Sequence, residues 1–123
     1  MAAAKDMVGS RRLVVGAHYG IGAWVGQRIT ALFMGVYFVG LLACLLWRGD
    51  FTYLGWAQLF APIWAKALTV LAWGALLYHV WVGVRDIWMD YVRPVSLRLL
   101  LHVLSAVWLA ACGVWAMAIL WRV

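Results

Sequence analysis

The 123-residue chain is 68% hydrophobic and only 11% charged, with a mean hydropathy of +0.96. An ordinary soluble domain has about 25% charged residues, so this composition excludes a water-soluble globule and predicts one domain whose apolar surface faces lipid or partner subunits. The net charge of +6 comes from basic residues scattered between apolar runs, without the basic stripe of a nucleic-acid-binding protein.

The apolar runs predict an all-α integral membrane protein with three transmembrane helices in a single membrane-anchor domain. Residues 29–47 carry no charge and span roughly 28 Å as a helix, close to the hydrocarbon thickness of a bilayer. The second helix is predicted at residues 63–91, after Pro62 and before Pro94, which disfavours helical geometry at the residue preceding it. The third helix is predicted at residues 97–120, and residues 51–61 form an aromatic connection at the membrane interface.

Residues 1–28 are predicted to be a cytoplasmic segment that remains attached, because they lack the organisation of a signal peptide. The glycine-rich stretch at residues 16–26 is expected to form a bent entry to the membrane. It lacks the spacing and preceding strand of a dinucleotide-binding loop. Gly22 and Gly26 form a GxxxG pattern that indicates dimerisation only weakly, and His18 is expected at a surface or interface.

The basic residues also predict the orientation of the helices. With three spans, seven of the ten Lys and Arg residues lie on the same side of the membrane as the N-terminus, and three lie on the opposite side. Because basic residues are enriched in cytoplasmic loops, the N-terminus is expected in the cytoplasm and the C-terminus in the periplasm.

His79 is the most unusual residue of the predicted spans. It precedes Arg85 by six positions, which places it roughly 9 Å into the membrane along a helix. It is either a neutral imidazole bonded to a neighbouring helix or an axial haem ligand. The same helix face carries Ala72, Ala75 and Gly83, and this stripe of small side chains is predicted to accept either a flat macrocycle or another helix.

Asp86 and Asp90 follow His79 on the same predicted helix face. A buried redox centre in line with surface acids is expected where a small molecule receives electrons and protons. The alternative is a solvated helix end at which Arg85 and Arg93 balance the two acids.

The remaining candidates have simpler interpretations. His102 lies at a depth similar to that of His79, so it is either an intrachain partner for His79 or a polar contact between helices. Cys44 and Cys112 lie in apolar runs without CxxC spacing and are interpreted as small core residues.

Two motifs resemble a known family. Residues 79–94, HVWVGVRDIWMDYVRP, are similar to the second-helix signature of the hydrophobic membrane-anchor subunits of succinate dehydrogenase. Residues 27–31, QRITA, resemble the entry to the first helix of that family. Between residues 24 and 120 the rest of the resemblance is a shared hydrophobic pattern.

The resemblance implies a complex II of the bacterial inner membrane, in which this chain joins a second membrane anchor, an iron–sulphur protein and a flavoprotein. It implies haem b shared between the two anchors, with ubiquinone as substrate. His79 is then the axial ligand of the haem iron, Tyr91 donates a hydrogen bond to the quinone, and Asp90 is its acidic neighbour. Arg28 lies near the haem propionates or the quinone. The chain itself contributes no catalytic residue and no succinate site.

Two other functions are compatible with the pattern. The first is the anchor of a quinol:fumarate reductase, since the direction depends on the quinone and the partner subunits. The second, from a different class, is a small oligomeric transporter or a structural helix bundle. A proton-coupled transporter would be expected to hold an acid deep within a helix, whereas Asp86 and Asp90 are predicted at the membrane surface.

Overall fold

The computed structural model describes residues 17–123, with side chains from Gly20 onward. This part of the chain has no strand and consists of the helices α1 (Ala17–Arg48), α2 (Tyr53–Phe60), α3 (Ile63–Tyr91) and α4 (Val95–Arg122). Within it, α1, α3 and α4 are long and apolar enough to cross a membrane. The predicted all-α fold with three membrane-spanning helices is therefore confirmed. Residues 1–16 and the side chain of His18 lie outside the described residues.

Helix α1 begins twelve residues before the apolar run at residue 29, and the expected bent entry segment is helical from Ala17 onward. Apolar residues such as Ile21 and Val25 favour insertion into the interface, where a helix satisfies every backbone hydrogen bond internally. This outweighs the low helix propensity of the glycines, about 1 kcal/mol each. At Gly26 the packing of α1 on α3 favours glycine, because a Cβ at this position would lie 2.5 Å from the Tyr78 hydroxyl of α3.

The connection between α1 and α3 is a tight turn followed by the short helix α2. Gly49 ends α1 with φ of +63°, and its N–H donates to the Leu45 carbonyl at 3.0 Å. The Thr52 hydroxyl accepts a hydrogen bond from Gly55 N–H and caps α2. The aromatic connection predicted at residues 51–61 thus contains a helix of its own.

Helix α3 lies at the centre and packs against α1, α2 and α4. Pro62 precedes it and Pro94 precedes α4, as expected for residues that begin helices well and continue them poorly. The buried positions of α3 are mostly small, namely Ala65, Thr69, Ala72 and Val82. Small side chains let membrane helices approach closely, so van der Waals contact holds α3 to its neighbours.

Polar side chains add specific contacts between the helices. Tyr37 of α1 lies 2.8 Å from the hydroxyl of Thr69, which itself donates to the Ala65 carbonyl. Trp88 of α3 donates its indole N–H to Ser105 of α4 at 3.0 Å. These bonds fix the register of α1 and α4 along α3.

Most of the helical surface is exposed in the single chain. In the most apolar 18-residue stretch of each helix, only 17% of the α3 residues and 11% of the α4 residues are buried within the chain. No residue of the corresponding stretch of α1 is buried. At 1.5 Å per residue the 29 residues of α3 span about 44 Å, enough to cross the hydrocarbon core and reach the headgroups. The exposed apolar faces therefore require lipid or other subunits to cover them.

Candidate functional site

His79 is half-buried where α1 and α3 meet, and α1 contacts it twice. Its Nδ1 lies 3.1 Å from the Thr30 hydroxyl. Its backbone carbonyl accepts a hydrogen bond from the Gln27 side-chain amide, also at 3.1 Å. Nε2 makes no hydrogen bond within the part of the chain that the structure describes. The ring is thus held at Nδ1 by Thr30, and Nε2 is available to bind a group from outside the described residues.

Gln27 is inserted between α1 and α3 beside this histidine. Its Nε2 donates to the His79 carbonyl, which fixes the orientation of the amide because a carbonyl only accepts. Its Oε1 is buried and has no hydrogen-bond partner among residues 17–123. A Cβ on Gly83 would lie 3.6 Å from the Gln27 Nε2, so this glycine forms the opposite wall.

The stripe of small residues around His79 is partly buried, and α1 contacts it at Gly83. Ala72 is only 5% exposed, and Gly83 faces the Gln27 side chain. Gly83 therefore lets α1 approach α3 closely at Gln27, whereas Ala75 of the same stripe remains half-buried. Of the two predicted uses, helix packing is the one that the structure supports.

Arg28 follows Gln27 on α1 and is exposed. Its guanidinium carbon lies 3.6 Å from the centre of the Trp24 ring, a cation–π contact one helical turn away. Within the described residues the only ion pair joins Arg85 and Asp86, at 3.2 Å. The charge of Arg28 is therefore available to an anionic group outside this chain.

Asp90 and Tyr91 form the exposed C-terminal end of α3. Tyr91 is the last helical residue and is 82% exposed. Val92 caps the helix by donating its N–H to the Trp88 carbonyl at 3.2 Å. Asp90 lies about 16 Å along the helix from His79, since eleven residues separate them. These residues and His79 therefore do not form one contact cluster within the chain.

His102 lies on the other side of α3 from His79. Its Nδ1 donates to the Arg98 carbonyl at 2.7 Å, and its ring packs edge-on against Trp81. Trp81 follows His79 by two residues, about 200° further around the helix. The structure thus places His102 as a polar helix residue and does not bring it together with His79.

Sequence reasoning assigned no role to Thr30 or to Gln27, although both lie in the QRITA motif. They are three residues apart and share one face of α1. Two polar side chains on one face at the entry to an apolar helix are a signal of an interhelical contact. Only the packing of α1 on α3 shows that the contact is with His79.

A second feature is a groove of about 300 Å³ between α1, α2 and α3, far from His79 along the bundle. Its walls are almost entirely apolar and include Phe33, Leu41, Phe60 and Leu68. None of the predicted site residues lines it.

Comparisons with known proteins agree with the motifs. The family model described as succinate dehydrogenase/fumarate reductase transmembrane subunit matches residues 5–114. The succinate dehydrogenase hydrophobic membrane anchor subunit of Coxiella burnetii (strain RSA 493 / Nine Mile phase I) is 36% identical over 98 residues. That match covers 80% of this chain and 85% of the relative.

Proposed function

Because this chain belongs to the succinate dehydrogenase/fumarate reductase transmembrane subunit family, we propose that it is an anchor of a succinate:ubiquinone oxidoreductase. It spans the bacterial inner membrane three times, with its N-terminus in the cytoplasm. It attaches the flavoprotein and iron–sulphur subunits to the membrane together with a second anchor. Its large exposed apolar surface supports this assembly, since much of that surface needs a protein or lipid neighbour.

Haem binding through His79 is the first part of the proposal. The donor set fits a haem iron: Nδ1 is engaged by Thr30, whereas Nε2 has no partner in the described part of the chain. Imidazole is a common axial ligand, and a bound b-type haem supplies a one-electron redox centre. His102 lies across α3 and would not reach the same iron, so a second protein ligand would come from the second anchor. Arg28 forms no ion pair within the described residues, and its guanidinium would pair with a propionate.

Quinone reduction near Tyr91 and Asp90 is the second part. Both residues are exposed where an apolar helix ends, so a quinone dissolved in lipid and protons from water can both reach them. The phenol of Tyr91 donates a hydrogen bond to a quinone carbonyl, and the carboxylate of Asp90 accepts or relays protons. Electrons arrive from the iron–sulphur subunit, and the quinone takes up two electrons and two protons to become a quinol.

The single observation that carries the proposal is the held imidazole of His79 within a chain of this family. The positions of the acids favour the anchor over a proton-coupled transporter, since Asp86 and Asp90 lie in the last turns of α3, near the membrane surface. The same anchor in a quinol:fumarate reductase would work with a quinone of lower potential. The quinone that co-purifies with the complex therefore separates the two directions.

The test uses the whole complex purified with His79→Ala or, as a matched control, His102→Ala. His79→Ala should remove the haem or change its low-spin absorption spectrum, because one axial bond is lost. His102→Ala should leave the spectrum unchanged. An unaltered spectrum in the His79→Ala complex rejects the ligand assignment, and haem loss in the His102→Ala complex would assign the ligand to His102.

A further inference from the structure

The Thr30 hydroxyl has three hydrogen-bonding neighbours. Its Oγ1 lies 2.7 Å from the Gly26 carbonyl, 3.1 Å from the Gln27 carbonyl and 3.1 Å from His79 Nδ1. The first two belong to the preceding turn of α1, a common partner for a threonine within a helix. The third lies on α3. The hydroxyl therefore joins the backbone of one helix to the imidazole of another.

The proton count decides the direction of these bonds. A hydroxyl has one proton to donate, and a carbonyl can only accept. The shortest contact, to Gly26, takes the hydroxyl proton, so Oγ1 faces His79 with a lone pair. Nδ1 must then carry the imidazole proton and donate it to Thr30. In a neutral imidazole this leaves Nε2 unprotonated, with its lone pair directed away from Thr30.

We infer that Thr30 is a positioning residue that holds His79 in the tautomer and orientation required for haem binding through Nε2. This inference rests on the proposed haem-ligand role of His79. Ligating histidines generally donate their other ring N–H to a fixed acceptor, which sets the tautomer and raises the basicity of the ligand. Thr30 supplies that acceptor from the neighbouring transmembrane helix.

Gln27 holds the backbone at the same point. Gln27 lies one turn before Thr30 on α1, and its side-chain amide donates to the His79 carbonyl. Helix α1 therefore hydrogen-bonds both the main chain and the ring of His79. The absence of a side chain at Gly83 leaves room for this amide. Sliding α1 along α3 would break both contacts together, so the orientation of His79 is coupled to the register of the two helices.

The electronic consequence concerns both haem retention and its potential. Loss of an outer-shell partner of a metal ligand typically weakens metal binding or activity by about 10- to 100-fold. A more basic imidazole favours ferric over ferrous iron, so removing the acceptor should raise the haem midpoint potential. Each tenfold change in the ratio of the two affinities moves a one-electron potential by about 59 mV.

The experiment measures haem retention and midpoint potential in the purified full complex. Thr30→Val keeps the shape of the side chain and removes the acceptor, whereas Thr30→Ser keeps a hydroxyl. Thr69→Val is the matched control, because it removes the other threonine hydroxyl that joins α1 to α3, about 15 Å away along the helix. We expect haem release about tenfold faster and a raised potential with Thr30→Val, and parental values with Thr30→Ser and Thr69→Val.

Parental potential and retention in Thr30→Val would overturn the inference, as would an equal shift in Thr69→Val, which would indicate a general packing effect. If Thr30→Val does not assemble, Thr30→Cys keeps a similar size with a weaker acceptor, and a parental potential there overturns the inference equally. His79→Ala separates the two proposals. If it keeps a normal low-spin haem, the ligand assignment fails; if it loses the haem while Thr30→Val is parental, only the role of Thr30 fails.

Discussion

Removal of the Tyr91 hydroxyl offers a sharp test of the proposed quinone site. Tyr91 ends α3 and is 82% exposed, so Tyr91→Phe takes away one oxygen and leaves the ring in place. An exposed substitution of this kind usually changes stability by less than about 0.5 kcal/mol. Assembly of the complex should therefore be normal, and any loss of rate can be assigned to the hydroxyl.

The expected size of that loss follows from the charge that develops on the quinone. A donor placed where negative charge develops contributes about 2.7–4 kcal/mol, which corresponds to roughly 10²- to 10³-fold in rate. Because Tyr91 is exposed in the single chain, we expect the lower end, about 10²-fold slower ubiquinone reduction. Only a partner subunit that covers the phenol would bring the effect to the upper end.

The assay compares succinate-driven reduction of ubiquinone with reduction of an artificial acceptor that takes electrons before the quinone. The second rate should be unaffected, because in the proposed complex the flavin and iron–sulphur centres belong to other subunits. Tyr53→Phe is the matched control: Tyr53 is 76% exposed and begins α2, at the opposite end of the bundle. Ubiquinone reduction at the parental rate in Tyr91→Phe would refute the assignment of this residue.

Orientation, interhelical bonding and the turn after α1 can each be tested with one or two substitutions. In a Cys-less background, an impermeant thiol reagent should label intact cells at Asp50→Cys and not at Asp86→Cys; the reverse rejects the orientation. A double-mutant cycle of Tyr37→Phe and Thr69→Val, measured by unfolding in detergent, should give a coupling of about 0.6 and at most about 1.7 kcal/mol. Zero coupling would contradict the bond between these hydroxyls. Hydrogen bonds from the Thr52 hydroxyl and, to a smaller extent, from the Thr52 N–H lower the pKa of Asp50 from its ordinary value of 3.8. The ionised Asp50 therefore stabilises the turn at pH values above its unfolded pKa, and this stabilisation is lost as the pH falls through the lower folded pKa. Thr52→Val should raise the Asp50 pKa in an NMR titration, and an unchanged pKa would show that the hydroxyl is not its main cause.

The sequence alone determined the membrane architecture, since its signals are local. An uncharged run of about 20 apolar residues must be a helix to satisfy its backbone in lipid, and Pro62 and Pro94 limit the helices through their own covalent geometry. His79 was identifiable as a candidate for the same reason, because an ionisable residue within such a run is costly wherever the helix packs. The family motif around it was likewise readable from the residues themselves.

Tertiary structure decided which faces meet. Periodicity places Ala72 and Gly83 on the face of His79, but it does not say what packs against that face; the structure places Gln27 of α1 against Gly83. Nor does it show that His79 and His102 lie on opposite sides of α3, or that Thr30 reaches His79 across 49 positions of sequence. These contacts depend on the rotation and register of one helix against another. That register is set by the packing of small side chains and a few polar bonds distributed along the whole bundle, and no local pattern contains it.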